Sequence, residues 1–465
     1  MNDSRTNRSF AWSLLPTVFS LAWPTMLEQL MQTAVQYIDT AMVGSLGTRA
    51  TAAVGSTTTV NWLIGSTVSA VGVGFLSYIS RARGAGEHPQ ARKAAGQSVL
   101  AVLVTGIAFT ALTLLLSRRV PVWMRVDPQV QQLAGQYFFI LYTPMLFRAA
   151  SVIFGTVLRS AGDTKTPMRV GIGVNLMNVV LNFLLIYPRR TVTLRGAEIP
   201  IWGAGWGVLG AAAASAVAFI FGGAAITAAL FRHPEISPRG VSLKPDGAVL
   251  RPCLRVAFPN MLQRFATSLG YVAFAAMINS LGQTSTAAHT IANTVESAFY
   301  IPGYGMMTAA ATLTGNAIGA GDRQRLRDLA RVILAAEVSM MAVSGAVLFA
   351  FAPAMVGLFS ADAAVILLGS AVLRMVACSE PFYGVSIVIE GMLMGAGKTV
   401  VPFVFSVAGM WGVRIVGTYI CTQRLGLGLV SAWGCMIGHN LLLFAMFVVY
   451  YRLGRWNPLR TAGGK

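Results

Sequence analysis

The chain reads as an all-α polytopic membrane protein, with twelve transmembrane helices in two six-helix lobes related by a pseudo-two-fold axis along the membrane normal. Three observations predict this. Only 11% of the 465 residues are charged while 55% are hydrophobic, with a mean hydropathy of +0.64; a soluble domain carries about 25% charge. Runs long enough to span a bilayer, about 20 apolar residues each, fall near 14–46, 50–80, 93–117, 129–158, 168–187 and 205–231, and again near 255–281, 285–317, 328–358, 364–394, 400–422 and 427–451. The second set repeats the first at an offset of 235 residues.

The repeat is carried by particular residues. Pro24 aligns with Pro259, Met26-Leu27 with Met261-Leu262, Ala41-Met42 with Ala276-Met277 and Ser45-Leu46-Gly47 with Ser280-Leu281-Gly282, giving 8 identities in the 24 positions from 24 to 47. Without a gap, the same register sets Gly84-Ala85-Gly86-Glu87 on Gly319-Ala320-Gly321-Asp322 and Ala161-Gly162 on Ala396-Gly397. An even number of spans per copy gives both copies one orientation, hence an axis along the normal, and internal repeats of this kind characterise transporters.

The N-lobe is assigned to 1–231, a connector to 232–255 and the C-lobe to 256–465. Four prolines in the connector, Pro234, Pro238, Pro245 and Pro252, and its lack of an apolar period predict an irregular link that lets two bundles move. The start, Asn2 to Ser9, is short and polar, and the apolar run after it lacks a small-residue cleavage site, so it reads as a first span with nothing preceding it rather than a removed signal. If the N-terminus is cytoplasmic, 23 of the 35 basic residues, from Arg5 and Arg8 to Arg460 and Lys465, lie on the cytoplasmic side. By the positive-inside rule both termini are expected in the cytoplasm of an inner-membrane protein. The net charge of +19 is thereby explained without nucleic acid. The first copy carries an insert, Tyr187 to Gly205, whose alternating pattern predicts a small outer hairpin. The Gly-Ala-Gly-acid segments at 84–87 and 319–322 read as helix caps rather than phosphate loops.

These residues are similar to those of the multidrug and toxic compound extrusion (MATE) transporters. The resemblance rests on Pro24 with Asp39-Thr40-Ala41-Met42-Val43-Gly44, on Leu158 to Pro167, on Asn178 to Asn182 and on Gly315 to Asp322, and runs from about Ala22 to Tyr451. It implies two lobes around a central cleft, alternating access, and export of organic compounds against inward movement of Na⁺ or H⁺. No cofactor is expected. The implied partners are small-molecule substrates and the lipid bilayer, and the expected state is a monomer.

Acids within spans are costly and mark function. Asp39 lies deep in the first span, and its repeat partner is Phe274, so this acid belongs to one lobe only. It is the main candidate for H⁺ or Na⁺ coupling. Asn178 and Asn182, four apart, share a helix face, and resemble the polar pair of the family's N-lobe; the second is often an acid there and is Asn182 here. Glu296 and Glu380 are candidates for a second site in the C-lobe, and Glu28 for a bridge to Arg264 of the other lobe. Pro24 removes a backbone hydrogen bond and is a candidate kink, by which ion binding at Asp39 can move the first span. Gln32, Tyr37, Trp62, Tyr142, Tyr271 and Tyr300 are candidate cleft residues for flat cationic molecules, through cation–π contact.

No histidine-rich cluster, nucleophile triad or nucleotide loop stands among the spans, so an enzyme is not expected. A lipid-linked oligosaccharide flippase of the same broad superfamily is the alternative, supported by the intramembrane bases Arg148, Arg264, Arg374 and Arg414. Cys253, Cys378, Cys421 and Cys435 have no metal spacing and carry no assigned function.

Overall fold

A computed structural model describes residues 12–124, 126–194 and 197–460. The polar start, Arg5, Arg8, Lys465 and the hairpin tip Arg195-Gly196 lie outside the described residues. The N-lobe consists of α1 (Leu15–Gly44), α2 (Thr48–Gly84), α3 (His88–Leu116), the short α4 (Val120–Trp123), α5 (Pro128–Tyr142), α6 (Met145–Ser160), α7 (Lys165–Leu185) and α8 (Gly207–Arg232). The C-lobe consists of α9 (Gly247–Asn279), α10 (Gln283–Phe299), α11 (Ile301–Gly319), α12 (Arg323–Gly357), α13 (Ala363–Ala377), α14 (Glu380–Gly395), α15 (Val400–Arg424) and α16 (Leu429–Arg452).

These helices make twelve crossings. Eight are individually long and apolar enough to span a bilayer, and two more arise from bent pairs, α5–α6 at 51° and α13–α14 at 54°. The remaining two, α1 and the α10–α11 pair, are too polar to pass on hydropathy alone, because they carry Gln32, Gln36 and Asp39, and Thr284 to Glu296. The two bends occupy equivalent positions of the repeat, Met145 and Glu380 being 235 apart. Side chains cap several starts: Asp127 accepts from Gln129 N at 2.8 Å, Asp322 from Arg325 N at 2.9 Å and Asp362 from Ala364 N at 2.9 Å. Gly86 (φ +75°) and Gly321 (φ +68°) make the left-handed turns that end α2 and α11. The Gly-Ala-Gly-acid segments are therefore turns between helices. The insert forms the antiparallel hairpin β1 (Pro188–Leu194) and β2 (Ala197–Ala204), with an irregularity between Pro188 and Arg190.

Both ends of the described chain meet in one cluster, where Leu14 and Leu15 pack with Trp456 and Leu459. We call this the terminal end of the bundle and the other the hairpin end. The lobes touch there through α2 and α11, and the contacts obey the repeat. The glycine hydrogen of Gly84 faces Asn316 so closely that a Cβ would stand 2.7 Å from its carbonyl carbon, and a Cβ on Gly319 would stand 2.8 Å from that of Arg81. Since 84 pairs with 319 and 81 with 316, one contact is the image of the other, as a two-fold axis requires. Ser80 and Gly315, also 235 apart, face each other on that axis. Ser77 Oγ donates to Gly395 O at 3.2 Å and Thr312 Oγ1 to Arg159 O at 3.3 Å across the same seam.

The first helix of each half leans on the other half. Val18 and Ala22 of α1 belong to the core of the second repeat, and Val249 and Cys253 of α9 to the core of the first. Helix resumes at Gly247, so 247–255 of the expected connector form the start of α9. The remainder is not free: it is pinned to α2 and α3 by Arg83–Glu235 at 2.5 Å, by Arg92 to the carbonyl oxygens of Ser237 and Arg239 at 3.2 Å, by Gln97 to Lys244 O at 2.9 Å and by Lys93–Asp246. The connector is thus docked on the N-lobe, because its own polar groups find partners on the basic helix ends beneath it.

Candidate functional site

Asp39 lies near the hairpin end of α1, half-buried against α7 and α8. Asn182 Nδ2 donates to Asp39 Oδ1 at 2.6 Å. Asn178, one turn away, donates to the same carboxylate at 2.9 Å and 3.1 Å when its nitrogen is turned toward it, and its oxygen then accepts the Ser215 hydroxyl of α8 at 3.0 Å. The opposite orientation would set an acceptor against the carboxylate, so the turned amide is the physically consistent one. Both asparagines are buried, at 6% and 1% exposure, and Asn182 Oδ1 has no hydrogen-bond partner. The ion pairs among the described residues are Arg83–Glu235, Lys93–Asp246, Arg159–Glu28 and Arg331–Asp328. None involves Asp39. The geometry is a single carboxylate, held by amide donors, with no fixed cation to neutralise it.

Spacing sets Asn178 and Asn182 on one face, and the structure brings Asp39 and Ser215 to that face. A lone serine in the Ala/Gly-rich sixth span was the only signal for Ser215. Pro24 is buried within α1, two residues after Ala22, whose carbonyl oxygen packs against Gly305 of α11. Glu28 does not bridge the lobes. Its carboxylate pairs with Arg159 of α6 at 2.6 Å, both within the N-lobe, while Arg264 Nε donates to Asn260 Oδ1 at 3.1 Å on its own helix. The reason is reach: α1 turns Glu28 toward α6 and α7, where Gly171 leaves room for it.

The cleft candidates separate into two groups. Gln32, Tyr37, Trp62 and Tyr271 are exposed, and Tyr37 donates across the lobes to Thr294 O at 3.2 Å. Tyr142 is fully buried in the N-lobe core, donating to Asn61 Oδ1 at 2.8 Å with its ring tilted against Phe138, so it lines no open surface. Aromatic size alone did not distinguish core from cleft. Tyr300 packs edge-on against Tyr304 and Tyr383.

In the C-lobe, Glu296 and Glu380 are buried, at 7% and 1% exposure, and Glu380 Oε2 lacks a partner. Sequence reasoning missed a third acid beside them. Glu337 of α12 is fully buried, both its oxygens are unpartnered, and it packs against Gly303 and Gly384. An acid within the apolar run 332–352 was its signal. None of the three carboxyls has a basic partner at ion-pair distance.

Two lobes about a two-fold seam, built from helices apolar enough to span a membrane and holding polar groups between them, have the architecture of a membrane transporter rather than an enzyme. The MatE family profile matches the chain twice, at residues 24–184 and 259–420, the same 235-residue offset. The chain belongs to the MatE family of membrane transporters for small-molecule substrates. It is 26% identical to the "Probable multidrug resistance protein NorM" of Thermotoga maritima, over 94% of this chain and 92% of that protein. It is 27% identical to the "Multidrug resistance protein NorM" of Burkholderia vietnamiensis, over 89% and 88%. Among solved structures it is similar to one described as the outward-facing conformation of a multidrug resistance MATE family transporter, with a TM-score of 0.86 at 23% identity, covering 96% of each chain. That likeness establishes the twelve-helix, two-lobe fold.

Proposed function

We propose that the protein is an antiporter that exports organic, cationic or amphipathic drugs or metabolites in exchange for H⁺ or Na⁺, with Asp39 as the coupling acid. The observation that carries this reading is the Asp39 carboxylate, gripped by Asn182 and Asn178 and lacking a fixed counter-ion. Such a group takes up and releases a cation as its surroundings alternate. Amide nitrogens rather than oxygens point at it, which counts against Na⁺, since Na⁺ needs an oxygen shell; Asn182 Oδ1 is a buried oxygen there without a partner. Related proteins named for multidrug resistance support the substrate class.

Asp39 and Pro24 share α1, whose first half packs on the C-lobe and whose second half reaches α7. Occupancy at Asp39 can therefore bias the bend at Pro24, and through Ala22 and Met26 the seam with Gly305. Exchange would follow by rocking of 1–231 against 256–465, in a monomer of the inner membrane with the terminal end in the cytoplasm. Of the bases behind the flippase alternative, Arg148 donates to Asn61 at 2.7 Å and Arg264 Nε to Asn260 at 3.1 Å within their own lobes. In proteoliposomes, Asp39→Asn is expected to abolish ion-driven efflux of a cationic dye while leaving the protein folded. Full efflux in that variant refutes the assignment. Efflux driven by a pH gradient in Na⁺-free buffer tests the proton reading.

A further inference from the structure

The C-lobe counterpart of the Asp39 site has the opposite charge. At the repeat offset Asp39 corresponds to Phe274, and Asn178 to Val413. The helix α15 departs from α-helical winding between Ala408 and Ile415, where it forms π turns. Bonding from i to i+5 lags an α-helix by about one residue, so Arg414 is rotated to the place that Asn178 holds in the first lobe. Its guanidinium lies over Phe274, the partner of Asp39 itself, at 4.2 Å, and over Tyr271 at 4.8 Å. Where the N-lobe sets an amide on a carboxylate, the C-lobe sets a cation on two aromatic faces.

Arg414 is only 4% exposed, and its Nε has no hydrogen-bond partner. A buried guanidinium left without an acceptor is costly. Its neighbours do not neutralise it at contact distance. Glu296 stands within electrostatic reach but outside ion-pair distance, and His289 and His439 are the other ionisable groups near it. His439 of α16, 5% exposed, has both ring nitrogens unpartnered. His289 is already engaged, accepting from Trp433 at 3.2 Å. Above the guanidinium, Tyr271 is 42% exposed and supplies an open aromatic edge. A planar cation with idle donors, an idle imidazole and an aromatic lip make a receptor for a small planar anion attached to an apolar body.

We propose that Arg414, with His439 and Tyr271, binds the carboxylate of a transported amphipath in the C-lobe. The preferred substrates are then zwitterions or acids rather than simple cations. This deepens the transport reading above and rests on it. A charge-assisted contact of this type gives about ten-fold or more in affinity.

The test uses the full chain in detergent and a matched pair of dyes, rhodamine 110, which bears a free carboxylate, and rhodamine 123, its methyl ester. Binding is followed by fluorescence polarisation without any ion gradient. The wild-type chain is expected to prefer the acid. Arg414→Gln should weaken rhodamine 110 by about ten-fold and rhodamine 123 by less than about two-fold, and Arg414→Lys should keep part of the preference. The proposal is overturned if the wild-type chain shows no preference, if both dyes weaken alike in Arg414→Gln, or if only chloride binds in an Arg414-dependent manner, read as thermal stabilisation by the salt. The dye preference should survive Asp39→Asn. Loss of coupling there and loss of preference in Arg414→Gln are separate results, so either assignment can fail alone.

Discussion

The seam at the terminal end predicts a strong response to one methyl group. In Gly84→Ala the new Cβ would stand 2.7 Å from the carbonyl carbon of Asn316 and 2.8 Å from its Cα. Carbon atoms in contact settle at about 3.5–4.0 Å, so α2 and α11 must separate by about 1 Å. The obstructing atoms are backbone, and no rotamer change relieves them. Overpacking of this sort costs about 2–3 kcal/mol, which moves a two-state equilibrium by a factor of about 30 to 150. That cost falls only on the state in which the terminal end is closed, so the variant should populate the alternative opening. A cysteine at Ser77, fully buried on this seam and bonded to Gly395 O, reports the change in a background lacking the four native cysteines. Its alkylation by a maleimide should accelerate by the same factor in Gly84→Ala. Gly319→Ala, the symmetry mate, should match it. Unchanged labelling in both variants would refute the close approach, and a response in one alone would refute the two-fold relation.

Two further outcomes follow from ion pairs. Glu28→Ala or Arg159→Ala, each leaving a partner that is about one-fifth exposed, should destabilise the N-lobe by about 2 kcal/mol, with the double variant less destabilised than the sum in a thermal-unfolding cycle. Arg264→Ala should show no coupling to Glu28 in the same cycle. The ammonium of Lys93 holds the Asp246 carboxyl below its ordinary 3.8. A depressed carboxylate stabilises above its unfolded value and loses that contribution as pH falls through the folded one. Protease cleavage of the connector 233–246 should therefore stay constant from neutral pH down to about 4 and rise only below it, whereas Asp246→Asn should be cleaved faster at neutral pH.

The repeat, the span count, the turns at 84–87 and 319–322, the hairpin and the shared face of Asn178 and Asn182 were all legible in the sequence. Each is local: hydropathy, glycine turn geometry and i,i+4 spacing act within one helix or between copies in register. The failures were all about which helix a side chain meets. Glu28 was assigned to Arg264 and Tyr142 to the cleft, and in each case a partner distant in sequence decided otherwise: Arg159 and Asn61.

What the sequence by itself determined is the frame, two copies of six crossings with an acid in one copy and none at its image. Only the tertiary structure decided what stands at the image. Arg414 is one residue out of register with Asn178, and the π turns in α15 rotate it onto Phe274. A change in helical winding leaves no mark in hydropathy or in the spacing of residue types. The polarity of the second site therefore became visible only when the helices were in contact.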